Sequence, residues 1–149
     1  MEINLLDDIH LMREALKEAN KALEADEVPV GAIIICKNKI IARAHNLTER
    51  LNVVTAHAEM QAITAAANFL GGKYLNECKL IVSLEPCVMC AGALNWAQIG
   101  EIVYGAPDPK RGFMKYGGQA LLHPKTQVRG GILEDECSQM IIDFFKNKR

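Results

Sequence analysis

Ile9, Met12, Leu16, Ala19 and Leu23 recur every three to four positions with charges between them, which predicts an amphipathic first helix. The period then changes. "VPVGAIIIC" is apolar and β-branched almost throughout, the pattern of a central strand buried on both faces. "KNK" supplies a short turn into "IIARAHN", a second strand, so the two form a hairpin. "LTERLNVVT" reads as a polar connection, and Thr55 as the cap of a helix running from about Ala56 to Phe69, ended by "GGKYLNE". "CKLIVSL" is a third strand, "EPCVMCAGALNWAQ" a short helix with its cysteines at the front, and "EIVYGA" a fourth strand. "PDPKRGFMKYGGQALLHPKTQ" is long for a passive connector, and loops of that length in compact domains are often functional. "VRGGIL" gives a last strand, and Cys137, Met140, Ile141, Phe144 and Phe145 mark a C-terminal helix.

Helices alternating with buried strands predict an α/β fold, a three-layer αβα sandwich around a mixed five-stranded sheet. The hairpin excludes an all-parallel sheet. No repeat, low-complexity tract or linker divides residues 1–149, so one domain is expected. A net charge of −1 gives no whole-molecule attraction to a polyanion, so any nucleic-acid binding requires a local basic patch. The first residues lack the basic start and apolar run of a signal peptide, and the longest apolar run is too short to span a bilayer. Five cysteines, an odd number, with three lying singly in apolar contexts, argue against a secreted disulfide framework. The expectation is a cytoplasmic protein without a membrane partner.

Only Cys87 and Cys90 have ligand spacing. Alone, "PCVMC" fits a redox pair, half of a structural zinc site, or two thiols without a joint role. "HAE" narrows the choice. His57 and Cys87 both fall at the front of a helix, where backbone N–H groups favour thiolate over thiol. One His and two Cys suit zinc with a fourth position open, the arrangement of a catalytic site. Glu59 lies two residues from His57, so on a helix the two point in different directions, and H-E-x-x-H is absent because Gln61 stands four after His57. Glu59 therefore reads as an acid/base beside the metal rather than as a ligand.

"HAE" followed by "PCVMC" resembles the H-x-E…P-C-x-x-C signature of zinc nucleobase and nucleoside deaminases. "EVPVGA", "AHN", "TAHAE", "LEPCVMCAGA", "GILEDEC" and "DFF" extend the resemblance, over nearly the whole chain, to bacterial tRNA adenosine deaminases. The resemblance implies a cytidine deaminase-like fold and conversion of the wobble adenosine of a tRNA anticodon to inosine. One Zn2+ per chain would be held by His57, Cys87 and Cys90, with Glu59 as proton shuttle. It also implies substrate contacts from Asn46 and the Ala58 N–H, a base pocket lined by Val28 and Pro29, loop contacts from Asp108 and Lys110, a terminal helix with Phe145 near the RNA, and a homodimer. Asn46 reads equally as a turn residue, and Val28 and Pro29 as core at the start of a strand. The cations Lys110, Arg111 and Lys115 interleave with Phe113 and Tyr116, a pattern that grips phosphate and stacks on unpaired bases; a solvated loop with its aromatics packed inward is the other reading. Lys146, Lys148 and Arg149 add cations in the tail. "RGFMKYGGQ" departs from better-known members of the family. Two alternatives stand beside this reading. One is a guanine, cytosine or small-nucleotide deaminase with the same zinc site; the other is a non-catalytic zinc or redox module.

Overall fold

The computed structural model describes residues 5–148; Arg149 of the basic tail lies outside the described residues. Helix α1 (Leu5–Glu24) leads into β1 (Gly31–Cys36) and β2 (Lys39–His45). A short α2 (Thr48–Leu51) precedes α3 (Ala58–Leu70), β3 (Cys78–Leu84), α4 (Val88–Trp96) and β4 (Glu101–Ala106). After two 3₁₀ turns (Phe113–Tyr116 and Gly118–Leu121) come β5 (Gln127–Arg129) and α5 (Glu134–Asn147). The sheet order is β2-β1-β3-β4-β5. β1 pairs antiparallel with β2 and β3, whereas β3–β4 and β4–β5 are parallel, so the sheet is mixed. The hairpin turn is made by Lys37 and Asn38, both at positive φ, as a two-residue turn between twisted strands requires.

The apolar strands are buried on both faces because helices cover both. Ala32, Ile34, Leu80, Val82 and Ile102 pack with Ala58, Ala62, Ala66, Ala91 and Leu94 of α3 and α4. Ile33, Ile35, Ile81 and Val103 pack on the other face with Met12 and Ala15 of α1 and Cys137 of α5. α1 sits so close to the hairpin that a Cβ on Gly31 would stand 2.0 Å from the Ala15 carbonyl oxygen, so only glycine fits there.

Three elements differ from the sequence expectation. "LTERLNVVT" contains α2, a single helical turn too short to carry an apolar period. Thr55 does not cap α3, which starts at Ala58 with His57 in the capping position. The last strand is only Gln127–Arg129, because the two glycines that follow leave no side chains to pack. No helix among the described residues is long and apolar enough to cross a membrane.

A buried ion network ties α1 to the sheet. Asp8, fully buried, accepts a hydrogen bond from Lys79 Nζ at 2.9 Å and pairs with Arg129, which also reaches Glu101 at 2.7 Å. Burial works against the Asp8 charge, but hydrogen bonds from Arg129 and Lys79 outweigh it and hold the carboxyl below its ordinary value. Asp8→Asn would leave the Lys79 ammonium buried without its counter-charge, and breaking such a pair typically costs about 3–5 kcal/mol. Because the folded-state pKa lies below the unfolded one, the contribution is complete above about pH 4 and is lost as pH falls through the folded value. Urea denaturation across a pH series should show the gap between wild type and Asp8→Asn at its widest near neutrality and narrowing below about pH 4.

Candidate active site

The site lies at the carboxyl ends of β3 and β4, where α/β sheets generally bind ligands. β3 runs out at Leu84 and the chain turns through Glu85 and Pro86 into α4; β4 runs out at Ala106 and opens into the long loop. The start of β1, the end of β2 and the front of α3 come to the same edge. Together they enclose a cleft of about 200 Å³, lined in part by Val28, Asn46, Ala58, Glu59, Glu85 and Asp108.

His57 and Cys87 are the N-cap residues of α3 and α4, both in extended conformation. Their carbonyls accept the first intrahelical bonds, from Gln61 N at 3.1 Å and Ala91 N at 2.8 Å. Their side chains do not cap, although capping is what Ser, Thr, Asp or Asn would do there. They are thereby free to converge with Cys90, one turn into α4. His57 Nδ1 lies 3.6 Å from Cys87 Sγ and 3.5 Å from Cys90 Sγ. All three donor atoms lie within 4.8 Å of one another. With Zn–S of about 2.3 Å and Zn–N of about 2.0 Å, tetrahedral N and S ligands stand about 3.5 Å apart. The donor set and its spacing therefore fit a metal ion, zinc by preference.

The electrostatics of the cleft are those of crowded negative charge. Cys87 is pulled down to about 4, chiefly by a hydrogen bond from Cys90, with His57 adding to it. Cys90 is pushed far up, first by giving that hydrogen bond and then by burial. His57 is raised, chiefly by its bond to Cys87. Glu59, only 4% exposed, is pushed up to about 7, mainly by burial.

The other expected residues divide. Asn46 is buried: its Nδ2 donates to the Val28 carbonyl at 3.4 Å and its Oδ1 accepts from Thr48 N at 3.2 Å. Ala58 is buried at the first position of α3, where a helix leaves its amides unpaired. Val28 lines the cleft and Pro29 is buried behind it. Asp108 organises the loop, its Oδ1 accepting from the amides of Lys110 and Arg111 at 3.1 Å each. Lys110 misses the inner cleft and lines a wider outer groove of about 680 Å³, with Val54, Val88, Met89, Arg111 and Tyr116. His57, Cys87 and Arg111 border both spaces.

One aromatic expectation needs correction. Phe113 is fully buried, edge-on to Tyr104, and cannot stack on a base. Phe145 is exposed on α5 beside the buried Phe144 and lines neither space. Two carboxylates were not singled out from sequence. Glu27, fully buried, accepts from the amides of Glu49 at 2.9 Å and Arg50 at 2.7 Å, and so holds the front of α2. Glu85, 5% exposed, accepts from the amides of Asp108 and Met114. Their signal in the sequence is a charge directly abutting a buried apolar run, in "EVPVG" and "LEPC".

Comparison with known proteins agrees with this geometry. A model of the cytidine and deoxycytidylate deaminase zinc-binding region matches residues 6–106. The tRNA-specific adenosine deaminase of Agrobacterium fabrum is 43% identical over 144 residues, 94% of this chain and 95% of that protein. That of Bacillus subtilis is 44% identical over 142 residues, covering 93% and 88%. A structure from a study of A-to-I editing by tRNA:A34 deaminases at the wobble position of transfer RNA superimposes with a TM-score of 0.81 at 41% identity, over 88% of this chain and 98% of that one. With a zinc-type His-Cys-Cys cluster beside a buried glutamate, and full-length similarity of this degree, the chain belongs to the tRNA-specific adenosine deaminases, within the cytidine and deoxycytidylate deaminase zinc-binding family.

Proposed function

We propose that this chain, acting as one domain over residues 1–149, hydrolytically deaminates adenosine to inosine at the wobble position of a tRNA anticodon. The observation that carries the reading is the meeting of a buried carboxylate, Glu59, with His57, Cys87 and Cys90 at one cleft. The substrate class is supported by the relatives, which match over nearly their whole length.

One Zn2+ per chain, held by His57, Cys87 and Cys90, would supply Lewis acidity that brings the pKa of water towards neutrality. Glu59 takes the proton of the attacking water and delivers it to N1 of the purine as C6 is attacked. It then carries a proton to the departing amino group, so that water and adenosine become inosine and ammonia. A carboxyl whose proton affinity is raised by burial is suited to both directions of that transfer. Asn46 has two donors and two lone pairs, of which the Val28 carbonyl and Thr48 amide take one each; the remainder is left for the nucleoside. The Ala58 amide and the wall at Val28 hold the base, with the buried Pro29 next to Val28 in the chain. Asp108 shapes the loop that carries Lys110, and Lys110, Arg111 and Lys115 meet backbone phosphate.

A homodimer in the cytoplasm completes the reading. The homodimer is supported by large apolar side chains left in solvent away from the outer groove, above all Trp96 at 85% exposure, with Phe69 exposed as well.

Three measurements test these assignments. Protein purified without added metal should carry about one zinc per chain by elemental analysis, and Cys87→Ser/Cys90→Ser should carry almost none; full zinc in that double variant would remove the ligand assignment. Glu59→Ala should keep its zinc and fold while deamination falls by at least about 10⁴-fold. Loss of zinc from folded Glu59→Ala would make Glu59 a ligand instead. Replacing Lys110, Arg111 and Lys115 with Ala should weaken anticodon stem-loop binding and flatten its log–log salt dependence by about 0.7 for each phosphate no longer neutralised, with zinc unchanged. A parallel assay with free adenine, guanine and cytosine separates this reading from a small-substrate deaminase, for which the loop cations would matter little.

A further inference from the structure

We propose that Glu85 is a positioning residue: its carboxylate holds the 108–114 segment against the metal-ligand turn and so fixes where Asp108 and Arg111 stand at the mouth of the cleft. The proposal rests on the function proposed above for the meaning of that mouth, but its structural half stands independently.

Both carboxylate oxygens are committed. Oε1 accepts from the Asp108 amide at 3.0 Å and Oε2 from the Met114 amide at 2.9 Å. One side chain thus pins the segment at both ends. Between those pins the segment closes on itself through Asp108, whose Oδ1 accepts from the amides of Lys110 and Arg111 and whose carbonyl accepts from Gly112 N at 2.9 Å. It is therefore a small closed unit, and moving its anchor moves all of it. The same unit is laid against the ligand turn: Gly112 bridges to Cys87, and Phe113 N donates to the Pro86 carbonyl at 2.9 Å.

The fit leaves no slack. A Cβ on Gly112 would lie 2.1 Å from Glu85 Oε2 and 2.5 Å from Oε1. The φ of Gly112 is −64°, which any residue adopts, so glycine is required there by the carboxylate and not by the backbone. Glu85 is anchored in turn, its amide donating to the Ala106 carbonyl at 2.8 Å across the ends of the two parallel strands. A glutamate suits the position because it only accepts; a glutamine would turn an N–H₂ towards one of the two amides and lose that bond. Arg111 borders both the inner cleft and the outer groove, so displacing the unit changes what can pass between them.

The test uses the zinc-loaded full-length enzyme, with Glu85→Gln and Gly112→Ala as independent ways of loosening the same contact. Hydrogen–deuterium exchange should rise in residues 107–116 of both variants, while peptides of β3 and β4 and the zinc content stay as in wild type. The value of kcat/KM on an anticodon stem-loop should fall by about 10- to 100-fold, the penalty of misplaced substrate-contacting groups. Arg111→Ala should then cost much less in the Glu85→Gln background than in wild type, because Arg111 is already out of place; independent sites would add. If Glu85→Gln does not fold, Gly112→Ala carries the same three measurements. Unchanged exchange in 107–116, or fully additive penalties with Arg111→Ala, would overturn the proposal. A wild-type enzyme inactive on the stem-loop would overturn the functional reading alone, since the exchange result is read without substrate.

Discussion

Two thiols and a carboxyl cannot all carry charge in one buried cleft opposite a single imidazole. The protein's own groups favour charge on Cys87, which accepts a hydrogen bond from Cys90, and burial raises Glu59. A divalent cation held by His57, Cys87 and Cys90 would let both sulfurs ligate as thiolates and would offset the repulsion that Cys87 exerts on Glu59. Burial of Glu59 is unchanged by that exchange, and it is burial that gives a carboxylate a proton affinity useful near neutral pH. The crowding of these groups is costly, and the fold must supply what holds them together.

How the fold does so is visible in what its helices give up. The N-cap positions of α3 and α4 would each gain about 1 kcal/mol from a capping side chain, and both are occupied by ligands that do not cap. The deficit is met by tertiary structure. α3 buries four residues, Ala58, Glu59, Ala62 and Ala66, and α4 buries Cys90, Ala91 and Leu94 against the same face of the sheet. On the opposite face, α1 approaches closely enough to demand Gly31, and its Asp8 locks onto Lys79 of β3. A ligand turn at the end of β3 is therefore supported from beneath by a strand that cannot easily shift.

The same division explains what was legible in the sequence. Strands read as unbroken apolar runs because both faces are covered, and the ligand set read from short spacing because His57, Cys87 and Cys90 each sit where a helix begins. Thr55 misled because it is a good cap by residue type, whereas the capping position went to a ligand. α2 was invisible as a single turn whose start is held by Glu27, more than twenty residues earlier in the chain. Glu27 and Glu85 share this character: they recognise backbone amides, and a backbone amide has no signature in sequence. Phe113 and Tyr116 lie in one short loop with the same surroundings in sequence, yet one is core and the other faces solvent, a difference set by the Pro86 carbonyl that draws Phe113 N inward.

The two walls of the cleft are consequently built alike, and this bears on substrate choice. On one side Glu27 fixes the α2 turn and with it Thr48, whose amide engages Asn46; on the other Glu85 fixes the 108–114 unit. Each wall is a loop whose backbone amides are held by a buried carboxylate. A cleft of about 200 Å³ that shares Arg111 with a groove of about 680 Å³ suits a substrate in which one base is inserted while its chain continues outside. Base-modifying enzymes meet that need by extruding the target base, which costs least where the strand is already unpaired. A free base would leave the outer groove and its cations Lys110 and Arg111 without a role. Under the proposed function an anticodon loop would occupy both spaces, with its phosphates beside Lys110 and Arg111 of the outer groove.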